Sequence, residues 1–167
     1  MVLHEVNIET LNFNPFTKIN KEWMLITAGD EQKHNTMTAS WGGVGELWGN
    51  YTSTIFIRPQ RYTLEFVDNS EYYSLCFFDE AYREALNFCG AKSGRDFDKP
   101  KETGLTPNFS EKAPYYDEAS MVFICRKLYK QDMKEESFID TSIIDRSYPQ
   151  RDFHKIFVGE IEKVLVR

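Results

Sequence analysis

Three short stretches hold residues whose types and spacing suit chemistry. The first, Asn35-Thr36-Met37-Thr38-Ala39-Ser40-Trp41-Gly42-Gly43, places hydroxyls, small side chains and glycines where a buried apolar strand would be expected. Small residues let a flat ligand lie against the backbone, whose N–H and C=O groups can read its polar edge. A twisted edge strand ending in a glycine-rich turn would have the same composition. The second, Arg58-Pro59-Gln60-Arg61-Tyr62-Thr63, sets two arginines around an expected helix N-terminus. Free N–H groups and partial positive charge there suit a phosphate. Arginine adds charge-assisted, often bidentate bonds, each worth roughly 1.5–3 kcal/mol. An ordinary solvated turn is the plain alternative. The third runs from Phe88-Cys89-Gly90 through Ser93-Gly94-Arg95 to Lys99. Two glycines, a serine and three cations could wrap a phosphate or a ribityl chain, or form a simple loop.

Other chemistries are not legible. The third stretch lacks the G-x-x-x-x-G-K-[ST] order of a Walker loop, and no G-x-G-x-x-G fingerprint is present. There is no G-x-S-x-G elbow, no H-E-x-x-H and no evident Cys/His pair. Cys76, Cys89 and Cys125 form no C-x-x-C pair, and His4, His34 and His154 are scattered, so no metal site or disulfide framework is expected. His4 and His154 read as surface residues. Cys89 could be a redox thiol, but it falls on the apolar face of its helix, which favours a buried, inert one. Trp41 and Trp48 could stack on a flat ring or serve as core or dimer contacts. With so little side-chain chemistry, a borrowed cofactor is the natural source of reactivity.

The elements that would position these stretches are mainly strands. Trp23–Ala28 reads as a buried strand closed by Gly29-Asp30, and Asn35–Trp41 as a second strand. Tyr51–Ile57 is a third, stopped by Pro59, which is placed to start a helix. Tyr72–Phe78 is an aromatic strand, followed by Asp79 as an N-cap and a helix to about Phe88 that Gly90 is placed to end. Ala91–Ala119 is polar and mostly loop, long enough to suggest a functional role. Met121–Tyr129 and Lys155–Val166 are late strands, with a loop or short helix between them. A closed or nearly closed β-barrel with helical insertions is the simplest way to hide so many edges.

The chain has 167 residues, 41% hydrophobic and 15% aromatic, which suits one compact β-rich domain over residues 1–167. No repeat, linker or low-complexity tract divides it. The formal net charge of −6 argues against nucleic-acid binding, which needs dense positive charge. The N-terminal MVLHEVNIET has no signal-peptide pattern and no segment is apolar for long enough to span a bilayer, so a cytoplasmic protein away from membranes is expected.

The three stretches in this order resemble the flavin reductase-like, FMN-binding split-barrel family, with the closest resemblance to its flavoredoxin-type branch. Phe77-Phe78-Asp79 and Glu102-Thr103-Gly104-Leu105-Thr106 extend the match, which resumes at Gly159-Glu160-Ile161. The resemblance implies a six-stranded antiparallel split β-barrel of Greek-key topology and a homodimer with FMN near the subunit interface. It implies that Thr36, Met37, Thr38, Ala39, Ser40 and Trp41 lie along the isoalloxazine and ribityl chain. Arg58, Arg61, Tyr62 and Thr63 would hold the phosphate, with the choice between the two arginines open. Cys89, Gly90, Ser93 and Lys99 would close over the cofactor. The implied activity is that of a flavin or ferric reductase, with NAD(P)H delivering hydride to the flavin N5 and no catalytic side chain required. The alternative is a flavoredoxin-like electron carrier reduced by a protein partner.

Overall fold

The computed structural model describes residues 2–167. Its strands are β1 His4–Val6, β2 Met24–Gly29, β3 His34–Ala39, β4 Gly42–Leu47, β5 Asn50–Ile57, β6 Tyr72–Phe77, β7 Pro107–Asn108, β8 Tyr115–Tyr116, β9 Met121–Asp132 and β10 Lys155–Val166. The α-helices are short: α1 Pro15–Thr17, α2 Thr63–Asn69, α3 Arg83–Ala91, α4 Lys99–Thr103 and α5 Ser142–Ser147.

Eight strands form one antiparallel sheet in the order β3-β2-β6-β9-β10-β5-β4, with β1 added to β10. β5 lies beside β10 rather than β6, the non-sequential step of a Greek key. The long β10 divides one edge between two partners: residues 155–160 pair with β5, and 164–166 pair with β1. Its other edge pairs with β9 along its length, with register shifts at Val158/Gly159 and Ile161/Lys163. Such bulges bend the strand and let the sheet curl. The fold is thus a split barrel, with eight strands in the sheet instead of six. The extra strands are β1, which the sequence reading did not identify, and β4, whose Gly42, Gly43 and Gly45 masked it.

Strand alternation sorts the side chains into two layers. Met24, Ile26 and Ala28 of β2 point inward with Met37, Ile55, Phe77, Phe123 and Phe157. Burying each large side chain contributes roughly 1.5–3 kcal/mol. Leu25 of β2 points outward with Cys76, Val122 and Ile124, where Leu86 and Cys89 of α3 and Tyr115 and Tyr116 cover it. Tyr73 is fully buried inside the barrel, and its hydroxyl shares a 2.7 Å hydrogen bond with Ser53 Oγ. Gly159 makes room for it: a Cβ there would lie 2.5 Å from the Tyr73 hydroxyl oxygen.

The remaining differences from the sequence reading are local. Pro59-Gln60 forms a turn, and α2 starts only at Thr63. Asp79 precedes a 3₁₀ turn, Glu80–Tyr82, that leads into α3. Gly90 lies within α3, which continues to Ala91. The 91–119 stretch contains α4 and the β7–β8 pair.

Candidate functional site

The β2–β3 hairpin sets the first wall of the site. Asp30 Oδ1 accepts from the Gln32 and Lys33 amides, both at 2.9 Å, and Gly29 takes a φ of +115° that a side chain would make clash with the Lys33 carbonyl. This turn fixes the register Ile26↔Met37 and Thr27↔Thr36. Met37 and Ala39 then face the barrel interior, while Thr38 faces α3 and donates to the Leu86 carbonyl at 2.5 Å. Thr36 is buried, sharing a 2.9 Å bond with Thr27. Gly90 lets α3 approach, because a Cβ there would press on the Thr38 side chain at 3.2 Å.

Two adjoining recesses follow from this packing. The larger has a volume of about 390 Å³ and is lined by Met37, Thr38, Ala39, Ser40, Trp41, Arg58 and Arg61, together with Phe56, Gln60 and His154. The smaller, of about 160 Å³, shares Met37, Gln60 and Arg61 and adds Tyr62, Thr63, Ser93 and Lys99, with Asn35 and Gly94 among its other walls. The three sequence stretches therefore meet at one place. Thr36, Cys89 and Gly90 line neither recess. Their carbonyls serve instead as acceptors for the cations around it.

Those cations are held differently. Arg61 donates to the Gly90 carbonyl at 2.8 Å and to the Thr38 carbonyl at 3.4 Å. Among the described residues it has no carboxylate partner. Burial first, and the Arg58 charge second, lower its pKa, yet a guanidinium stays charged. Arg58 is 2.9 Å from Asp152 Oδ2, donates to the Ser147 carbonyl at 2.8 Å and lies over the Tyr148 ring. Hydrogen bonds from Gln60 and Arg58 in turn hold the Asp152 carboxyl below its usual range. Lys99 is 4% exposed, and its ammonium donates to the Thr36 carbonyl at 2.6 Å and the Cys89 carbonyl at 2.8 Å. Burial, reinforced by Arg61, pushes it down to about 8.

The helix N-terminus contributes less than its sequence suggested. The Leu64 and Glu65 amides already bond to the Arg61 and Tyr62 carbonyls. Cys89 is wholly buried, and burial pushes its thiol up to about 11, so it is a protonated packing residue.

His154 was missed. It is 7% exposed, not a surface residue, and burial pushes it down to about 4. It shares a 2.7 Å hydrogen bond with the Tyr148 hydroxyl, and its ring lies 5.3 Å from that of Trp41. Its position five residues before Gly159 on β10's approach gave no local signal of burial, because Tyr148, Phe56 and Trp41 come from three other segments. Trp41 itself is 48% exposed on the rim.

Split barrel and cleft together define a mainly antiparallel β protein with a recess of small-molecule size beside two arginines. A family model described as "Flavin reductase like domain" matches residues 16–167, and the chain belongs to that family. No curated protein sequence matches it. Among solved structures, it resembles a putative flavin reductase with split barrel domain from Shewanella frigidimarina NCIMB 400, with a TM-score of 0.69 and 20% identity over 97% of this chain and 75% of that one. The flavoredoxin of Desulfovibrio vulgaris (Miyazaki F) gives a TM-score of 0.68 and 20% identity over 98% of this chain and 77% of that one. An NADH:FAD oxidoreductase of Streptomyces globisporus C-1027, in complex with NAD and FAD fragments, gives 0.65 and 15% identity over 87% and 74%. The chain is thus a flavin reductase-like domain of split-barrel fold. No described helix is long and apolar enough to cross a membrane.

Proposed function

We propose that this chain binds FMN in the cleft between β3, the Arg58–Thr63 segment and the α3–α4 loop, and acts as an NAD(P)H-dependent flavin or ferric reductase. The observation that carries the reading is Arg61, a partly buried cation bonded only to carbonyls where both recesses meet. A cation left without a carboxylate at the junction of two cavities favours an anionic group there, and a phosphate fits. The larger recess, at about 390 Å³, lies within the range of small-molecule sites, roughly 300–1,000 Å³.

In this reading the residues divide the work. Met37, Thr38, Ala39 and Ser40 offer backbone and small side chains along the flat ring, and Thr36 contributes its carbonyl to hold Lys99. Trp41 and His154 wall the outer end, and Tyr148 fixes the imidazole. Arg61, Thr63, Ser93 and Lys99 take the phosphate end. Arg58 and Tyr62 brace that wall, and Cys89 and Gly90 act through the carbonyls that hold Lys99 and Arg61. Bound FMN would supply a hydride acceptor at N5, with NAD(P)H as donor. The chain's task is alignment, and no side-chain acid or base is assigned.

We further propose a homodimer and a cytoplasmic setting. Trp41, Leu47, Trp48, Tyr51 and Tyr129 are large and exposed, which supports a partner surface. Three unpaired, buried cysteines suit a reducing compartment.

An anaerobic absorbance scan of the FMN-loaded protein tests the activity. Bleaching of the flavin band within seconds of adding NADH or NADPH is expected. A band that resists both and bleaches with dithionite would instead favour the partner-fed electron carrier.

A further inference from the structure

The α3–α4 loop carries one cation that the cleft does not use. The Arg95 guanidinium lies over the Tyr62 ring, 4.4 Å from its centroid. Its Nη2 is 2.5 Å from Glu65 Oε1 in α2, and its Nη1 donates to the Gln60 carbonyl at 3.5 Å. One side chain from the loop is therefore held at three points on the Gln60–Glu65 segment. Both segments line the smaller recess, through Gln60–Thr63 and Ala91–Gly94. The loop is seated from below as well, since a side chain at Gly94 would collide with the Asn35 amide. The recess measures about 160 Å³. At roughly 30 Å³ per water it has the room of about five waters. That suits a phosphate and the end of a ribityl chain, and it is too small for an adenosine.

We propose that the Arg95 clasp makes this site selective for the flavin mononucleotide over the dinucleotide. The proposal rests on the flavin reading of the cleft. In FAD a second phosphate and an adenosine continue from the point where FMN ends. In this proposal they leave past Arg95, which bridges the two lining segments, and Arg95 then lifts off Tyr62 and Glu65. FAD then binds only the open fraction of the protein, and its apparent affinity falls by that fraction. FMN ends beneath the closed clasp and meets no such reduction. The Arg95 and Glu65 side chains are 47% and 58% exposed, so the clasp is a weak latch. A cation–π contact plus an exposed ion pair biases closed over open by about tenfold. Selectivity of that size comes from obstructing one ligand and not from added contacts to the other.

Flavin-fluorescence titrations of the full chain with FMN, FAD and riboflavin test this, using the wild type, Arg95→Ala and Glu65→Gln. The wild type is expected to bind FMN more tightly than FAD. Both substitutions should tighten FAD by about fivefold to tenfold and move FMN by less than about threefold. An unchanged FMN-to-FAD ratio in both variants, or FAD already as tight as FMN in the wild type, overturns the clasp and leaves the flavin site standing. A wild type that binds none of the three overturns the flavin site and the clasp together.

Discussion

Arg58 and Arg61 stand three residues apart in one motif, yet their surroundings are opposite. Arg58 is turned toward α5 and the segment after it, where Asp152, the Ser147 carbonyl and the Tyr148 ring satisfy it. Arg61 is turned toward β3 and α3, where only carbonyls meet it. The same chemical group is thus a structural tie in one place and an available charge in the other. What separates them is the company each keeps, since an arginine paired with a carboxylate has little left for an incoming anion.

The largest expected effect comes from removing the available charge. Arg61→Ala should weaken FMN by about 10-fold to 100-fold, matching one charged hydrogen bond of roughly 1.5–3 kcal/mol. Riboflavin, which lacks the phosphate, should lose only a few-fold. Arg58→Ala should affect FMN and riboflavin alike and by little, while the segment 147–154 becomes more open to proteolysis. If the two variants gave the same FMN-to-riboflavin ratio, the contrast between the arginines would be broken.

Lys99 sharpens the contrast through pH. Below about pH 8 its buried ammonium is charged and favours an anion, so FMN affinity should decline several-fold as pH rises through that value, with riboflavin nearly flat. Stability should run the other way. The folded pKa, about 8, lies below the usual 10.5, so the unfolded chain holds more protons between them. Unfolding free energy therefore rises with pH across that window. Lys99→Met should remove both trends, and a pH-independent FMN affinity in the wild type would exclude Lys99 from the phosphate end.

His154 should show the smallest effect on binding. With a folded pKa of about 4 it stays neutral from pH 5.5 to 8, so its ring resonances should not titrate there. As pH falls from 6.5 toward 4 the unfolded chain gains a proton that the folded state refuses, and stability should decline. A histidine resonance that titrates near 6.5 and maps to residue 154 would show that the ring is not buried as described.

Much of this was legible before folding, and the exceptions are informative. β2, β5, β6 and β10 announce themselves by apolar or aromatic runs closed by turn residues, because a pleated strand needs only a local pattern. β4 did not, since Gly42, Gly43 and Gly45 remove the side chains by which a strand is recognised. The start of α2 was misplaced because Pro59 suits both a turn and a first helical turn, and only the Arg61-to-Arg58 backbone bond decides between them. His154 was read as a surface residue because Trp41 and Phe56, whose rings lie against it, come from distant parts of the chain.

The amino-acid order alone determined the strand-rich class, one stretch of small and hydroxyl residues, two cationic stretches and the family they resemble. These depend on local propensity and on motif order along one dimension. Tertiary structure alone decided that the three stretches share one cleft, that Arg58 is occupied and Arg61 is not, and that His154 belongs beside Trp41. Each of those turns on burial and pairing between residues tens of positions apart, where the competing partners are chosen by the curl of the sheet. Charge in a sequence is only a count, whereas charge in a cleft depends on what has already neutralised it.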